Sequence, residues 1–179
     1  MEEIVRQFYI GDRDFTEEIR WDLGKYSSDF QFIHPTVRSI KRFVEYGSQS
    51  VYHLVFSYDG ERNFVKVKNN LTHLDFVVHA DDLGYLFDVS YMGTPSESDQ
   101  LAIDRMTTLW ANFVKYGNPT PQPTDLLPVM WEPAIKETIP YLELDSEVHV
   151  GKQHYHDRVA FWDLFYEMNW DKQNGYTPV

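Results

Sequence analysis

Val51-Tyr52-His53-Leu54-Val55-Phe56-Ser57-Tyr58 is the stretch on which the fold turns. It is rich in β-branched and aromatic residues and stops at Asp59-Gly60, a turn signal. Its alternating faces both carry apolar side chains. Such a strand suits a buried position in a mostly parallel sheet, with helices packed around it. The flanking sequence is helical by pattern. Upstream, Asp14 with Glu17 gives an acidic capping box for a helix running towards Tyr26. His34-Pro35 opens a second helix, with Val37, Ile40 and Val44 on its apolar face and Gly47 as its stop. Downstream, Glu61 to Leu74 is polar and irregular. Ser98 then caps a long helix lined on one side by Ala102, Met106, Leu109, Trp110 and Phe113, and Gly117 and Pro119 end it. Asn118 to Pro128 carries four of the nine prolines and reads as a stiff surface loop. Tyr141 to Leu144 fits a short strand. Phe161, Trp162, Phe165 and Met168 mark a last amphipathic helix, and the polar tail from Lys172 is expected to fray. The fold class is α/β, with few strands and several packed helices.

One buried strand among four or five helices is an unbalanced inventory. A lone strand can neither satisfy its backbone groups nor cover both faces. Partner strands are therefore expected on sequence outside these 179 residues. The chain alone should fold poorly and expose apolar surface around Val51–Phe56.

Composition narrows the function. With 42% hydrophobic and 16% aromatic residues the chain has ample core material, so it is not a disordered segment. A net charge of −12 argues against a nucleic-acid partner, which calls for a basic face. No apolar run approaches the ~20 residues that span a bilayer. Cysteine is absent, which removes disulfides and thiolate metal sites from this stretch. The compartment stays open.

Among the seven histidines, His79 stands out in Phe76-Val77-Val78-His79-Ala80-Asp81-Asp82-Leu83-Gly84-Tyr85-Leu86-Phe87. Imidazole takes and returns a proton near neutral pH. This one follows an apolar run and precedes two carboxylates. His149, His154 and His156 cluster later without zinc spacing or an arranged carboxylate, so no metal site is assigned. The aromatics Trp110, Phe113, Phe161, Trp162 and Phe165 could line a lipid pocket, but their helical spacing favours core packing.

The segment His79-Ala80-Asp81-Asp82-Leu83-Gly84-Tyr85-Leu86-Phe87 resembles the region around the catalytic histidine of type-B carboxylesterases, a family of α/β-hydrolases. The likeness continues through Trp110–Pro121, Trp131-Glu132-Pro133, Tyr141–Leu144 and Arg158–Trp162. Before the histidine it includes Ser28–Phe32 and Val51–Tyr58. It is strongest to the insect members. The resemblance implies the C-terminal part of an α/β-hydrolase fold over residues 1–179, with 172–179 as a tail. It also implies a serine esterase in which His79 is the general base of a Ser-acid-His triad, acting on small-molecule esters without a cofactor. His79 should then lie in a loop beyond the carboxyl end of the Val51–Tyr58 strand, its ring accessible.

The other triad members have no counterpart here. None of the ten serines sits in a Gly-x-Ser-x-Gly elbow, and no Gly-Gly pair offers an oxyanion loop. Triad order in this architecture is Ser, acid, His, so the serine and acid are expected upstream, on the remainder of a longer parent chain. This chain alone is expected to be inactive. Asp81 and Asp82 follow too closely to be the orienting acid, and a capping role at the start of a Leu83–Phe87 helix fits them better. Asp29 reads as structural. The alternative function is a non-catalytic binding or adhesion module on the same fold.

Overall fold

The computed structural model describes the backbone of residues 3–173 and side chains as far as Asn169. Most of the tail expected to fray from Lys172 lies outside the described residues. The chain divides into two compact units. One is Gly47–His154; the other joins the chain up to Tyr46 with the chain from Tyr155 onward.

The Gly47–His154 unit holds the sheet. Strand β1 (His53–Phe56) pairs in parallel with β2 (Pro140–Leu144), with His53 opposite Tyr141 and Phe56 opposite Leu144. β2 pairs antiparallel with β3 (Val148–Lys152), giving the order β1-β2-β3. β1 is shorter than the eight residues expected, and it is an edge strand. Leu54, Val55 and Phe56 are therefore only half-buried despite their two apolar faces. Leu142 and Leu144, on the central strand, are fully buried. They pack with Tyr85, Met106, Leu109 and Trp131.

The connection from β1 to β2 carries three helices, α4 (Phe64–Lys68), α5 (Leu83–Leu86) and α6 (Glu97–Tyr116). Ser96, not Ser98, caps α6: its backbone is extended and its Oγ accepts the Asp99 N–H at 3.2 Å. At the far end Gly117 adopts φ +66°, and its N–H bonds the Phe113 carbonyl at 2.8 Å. That left-handed stop favours glycine. Ala102, Met106 and Leu109 face the core as expected. Trp110 and Phe113 do not. They are 48% and 38% exposed, and they line an open groove of about 120 Å³ with Tyr52, Leu54 and Trp131.

The other unit is helical. It comprises α1 (Glu3–Tyr9), a 3₁₀ turn (Glu17–Ile19), α2 (Arg20–Ser28), a π turn (Asp29–Ile33), α3 (His34–Glu45) and α7 (His156–Gln173). Thr16 rather than the Asp14–Glu17 pair caps the entry, its Oγ1 accepting the Glu18 N–H at 3.3 Å. The two helices expected before and after His34 are continuous through the π turn, where the His34 N–H reaches back to the Asp29 carbonyl. A proline ring would normally clash with the carbonyl four residues back, and the wider π turn makes room for Pro35. Val37 and Ile40 are buried on α3, while Val44 is half-buried. Trp162 of α7 anchors the core, 2% exposed, with Val5, Tyr9, Ile10 and Ile19. Met168, expected on the apolar face of α7, is 69% exposed. The aromatic stripe read from the sequence is thus divided: Trp110 and Phe113 belong to one unit, and Phe161, Trp162 and Phe165 to the other.

Candidate active site

Beyond Phe56 the chain leaves β1, passes Tyr58–Gly60 and turns at 61–62, and a hub of buried polar groups forms there. Asn63, fully buried, is its centre. Its Oδ1 accepts the Gly60 N–H at 3.0 Å and the Tyr85 hydroxyl at 2.8 Å. Its Nδ2 donates to the Tyr58 carbonyl and to Asp81 Oδ2, both at 3.3 Å. Asn63 therefore ties the chain just past the carboxyl end of β1 to the segment that carries His79. The Tyr85 hydroxyl also lies 3.3 Å from Asp99 Oδ1, and burial pushes its pKa upward, so it stays a neutral donor. Gly84 is obligatory in this packing: a Cβ there would stand 1.9 Å from the Arg62 carbonyl oxygen.

Asp81 is completely buried and accepts four N–H groups. Oδ1 takes the backbone N–H of Val65 at 2.9 Å and of Lys66 at 3.1 Å; Oδ2 takes the Val78 N–H at 2.9 Å and the Asn63 amide. The first pair are orphan donors of the opening turn of α4. Asp81 thus caps α4, not the Leu83 helix that follows it. Asp82 occupies the N-cap position of α5 without a side-chain cap bond. Burial raises its pKa, a rise that nearby His79 opposes.

His79 itself lies in the tight turn Val78–Asp81, closed by the Asp81 N–H on the Val78 carbonyl at 3.1 Å. It is exposed. Ala80, its neighbour, has φ +72°. Left-handed backbone at the third turn position is the geometry of a type II turn, which favours residues with the least bulk at Cβ. The loop before it is tied down as well. Lys66, 1% exposed, pairs with Asp59 and donates to the Leu74 carbonyl.

His53 is the other histidine shaped by its surroundings. It is 8% exposed on β1, and burial together with nearby His154 lowers its pKa to about 4. Asp29, read as structural, is 1% exposed and accepts the Tyr9 hydroxyl at 2.6 Å. Arg158 lies 3.4 Å from the same oxygen. No three His, Asp or Glu side chains gather into a metal-binding group among the described residues. No described helix is long and apolar enough to cross a membrane.

Residues 1–162 match the model of the carboxylesterase family. The chain belongs to the carboxylesterase family. Similar relatives include esterase FE4 of Myzus persicae, 27% identical over 73% of this chain and 24% of its own length. Another is juvenile hormone esterase of Heliothis virescens, 29% identical over 90% of this chain and 29% of its own length. The chain thus spans about a quarter of the length of the curated carboxylesterases it matches. Among solved structures, juvenile hormone esterase from Manduca sexta superposes with a TM-score of 0.68 at 22% identity, covering 90% of this chain and 31% of that one. The Geobacillus stearothermophilus carboxylesterase EST55 superposes with a TM-score of 0.66 at 15% identity, covering 90% and 32%. These likenesses give the fold: part of an α/β-hydrolase, as expected from the sequence.

The hub around His79 has no signature in the sequence. Glu61–Leu74 was expected to be irregular, but it contains α4, and Asn63 just before α4 is the residue that joins β1 to the His79 turn. The five residues of α4 carry no cap of their own; the capping carboxylate comes from Asp81, fifteen and sixteen residues beyond its bonded N–H groups. No local pattern signals such a cap. The Ser96-x-x-Asp99 spacing, by contrast, was a readable start signal for α6.

Proposed function

We propose that this chain is the C-terminal portion, residues 1–179, of a serine carboxylesterase and supplies His79 as the general base of its triad. The serine and the orienting acid come from the remainder of the parent chain, and the substrate is a small carboxylic ester. The carrying observation is the setting of His79: an exposed imidazole on a tight turn, tied through Asp81 and Asn63 to the carboxyl end of β1. Open α/β sheets place their reacting groups at that end of the strands.

The chemistry follows from the groups. Imidazole removes the serine proton as the hydroxyl attacks the ester carbonyl, then returns it to the departing alcohol. The same exchange with water releases the acid. No cofactor is required. This chain has no elbow serine of its own, so alone it offers only an ordinary imidazole and is expected to hydrolyse no ester at an enzymatic rate.

The test is paired: hydrolysis of naphthyl acetate by the full-length parent and by its His79→Ala variant, with circular dichroism to establish folding. Loss of turnover with an unchanged spectrum supports the reading. Equal rates in the two remove His79 from the mechanism. Absence of activity in both favours a binding module.

A further inference from the structure

We infer that Asp81 is a positioning residue for His79, holding the histidine turn in one conformation through three backbone N–H groups and the Asn63 amide. The inference rests on reading His79 as the general base. A carboxylate with no exposure, bonded by four N–H donors, is fixed from both sides. Its Oδ1 is anchored on the start of α4. Its Oδ2 reaches the Val78 N–H, directly before His79, while its own N–H closes the turn on the Val78 carbonyl. The turn is thus clasped at Val78 by both the backbone and the side chain of Asp81, and His79 and Ala80 are the two residues between. Ala80 sits at φ +72°, a conformation that an alanine in a free loop would leave. The clasp is what keeps it there. Asp81 never has to touch substrate, or the imidazole, to set where the ring stands.

The charge pattern makes the aspartate specific. All four groups facing the carboxylate are N–H donors. An asparagine of the same shape must turn its own NH₂ towards one pair of them, either Val65 and Lys66 or Val78 and Asn63, and that pair loses its acceptor. The variant should therefore loosen one half of the clasp while the apolar core of the unit stays in place.

Three variants of the full-length parent test this: Asp81→Asn, Ala80→Val and His79→Ala. Amide hydrogen exchange over Phe76–Asp82 is read beside ester turnover. For Asp81→Asn we expect exchange in that segment to speed up at least tenfold while β2 is unchanged. We also expect kcat to fall about ten- to hundredfold with KM within twofold, because a misplaced base affects the chemical step rather than binding. Ala80→Val leaves the buried hub alone and carries the test if Asp81→Asn does not fold. A β-branched residue resists left-handed backbone, so the same loss of kcat is expected. Unchanged exchange in Asp81→Asn overturns the clasp whatever the activity. Wild-type kcat in Asp81→Asn or in Ala80→Val, with His79→Ala inactive, overturns positioning while leaving the esterase reading intact. Wild-type turnover in His79→Ala overturns both.

Discussion

Two aspartates, one in each unit, are equally hidden and differently used. Asp29 of the helical unit is 1% exposed and Asp81 of the sheet unit is 0%. Asp29 gathers side chains that are far apart in sequence. It accepts the Tyr9 hydroxyl, which accepts the Trp162 Nε1–H at 2.7 Å, and Arg158 lies beside it. One of its oxygens, Oδ1, has no hydrogen-bond partner among the described residues, and burial raises the pKa of Asp29 despite the Tyr9 bond and the Arg158 charge. Asp81 gathers mainly backbone, and both its oxygens are saturated. A buried acid that joins side chains locks a core. One that joins main-chain donors fixes the path of a loop. The buried acid of the helical unit serves packing, and that of the sheet unit holds the turn that carries exposed His79.

That contrast can be broken most sharply at His79. In the full-length parent His79→Ala should slow ester hydrolysis by ~10⁴-fold or more while shifting stability by no more than about 0.5 kcal/mol, since the residue is exposed. A steady-state assay beside a urea titration checks both, and a large loss of stability would erase the distinction between the units. In the helical unit the order should reverse. Trp162 is 2% exposed and donates to Tyr9, so Trp162→Ala is expected to lower stability by roughly 3–5 kcal/mol. Its effect on turnover should track only the folded fraction.

Acid sharpens the comparison further. His53 is held neutral by burial, with a folded pKa of about 4 against an ordinary value near 6.5. The unfolded chain binds the proton first, so stability present at neutral pH is lost as pH falls from about 6.5 towards 4, up to about 3 kcal/mol. Asp29 runs the other way. Its folded pKa is raised, so the folded state takes the proton first and its contribution grows on acidification. Stability–pH curves for wild type, His53→Gln and Asp29→Asn separate the two. The sheet-unit variant should flatten the acid loss, and the helical-unit variant should steepen it. The smallest effect belongs to a cap. Ser96→Ala removes the Asp99 N–H bond at the start of α6 and is expected to lower stability by about 1 kcal/mol, measured as a modest fall in Tm.

Much of this was legible in the residues. The β-branched run at 51–58 gave a strand in an α/β protein, and Ala102, Met106 and Leu109 gave the buried face of α6, because both patterns are local and repeat. What escaped was nonlocal. Trp110 and Phe113 share that helical spacing, yet they open onto a groove, because the edge of β1 has no further strand among the described residues. β3 alternates weakly, with Val148 its only buried residue, so nothing marked Val148–Lys152 as a strand. Asp81 was expected to cap the helix next to it, yet it caps α4. Short-range preference placed it at a helix start but could not say which helix, since that choice depends on a bond to residues sixty-five and sixty-six.

The π turn at Asp29–Ile33 bears on how this family segment could tolerate change in length. A π turn amounts to one residue more than a regular helix needs, and each residue of an α-helix advances the side-chain direction by ~100°. Removing exposed Gln31 would let α2 run into α3 as one uniform helix. The regular turn makes the same rotation with one residue fewer, so Val37 and Ile40 would keep their buried face, but the Pro35 ring would come against a carbonyl it now avoids. A deletion of a single solvent-facing residue, which looks harmless by exposure, would therefore leave the apolar face of α3 in phase and concentrate its cost at one proline ring.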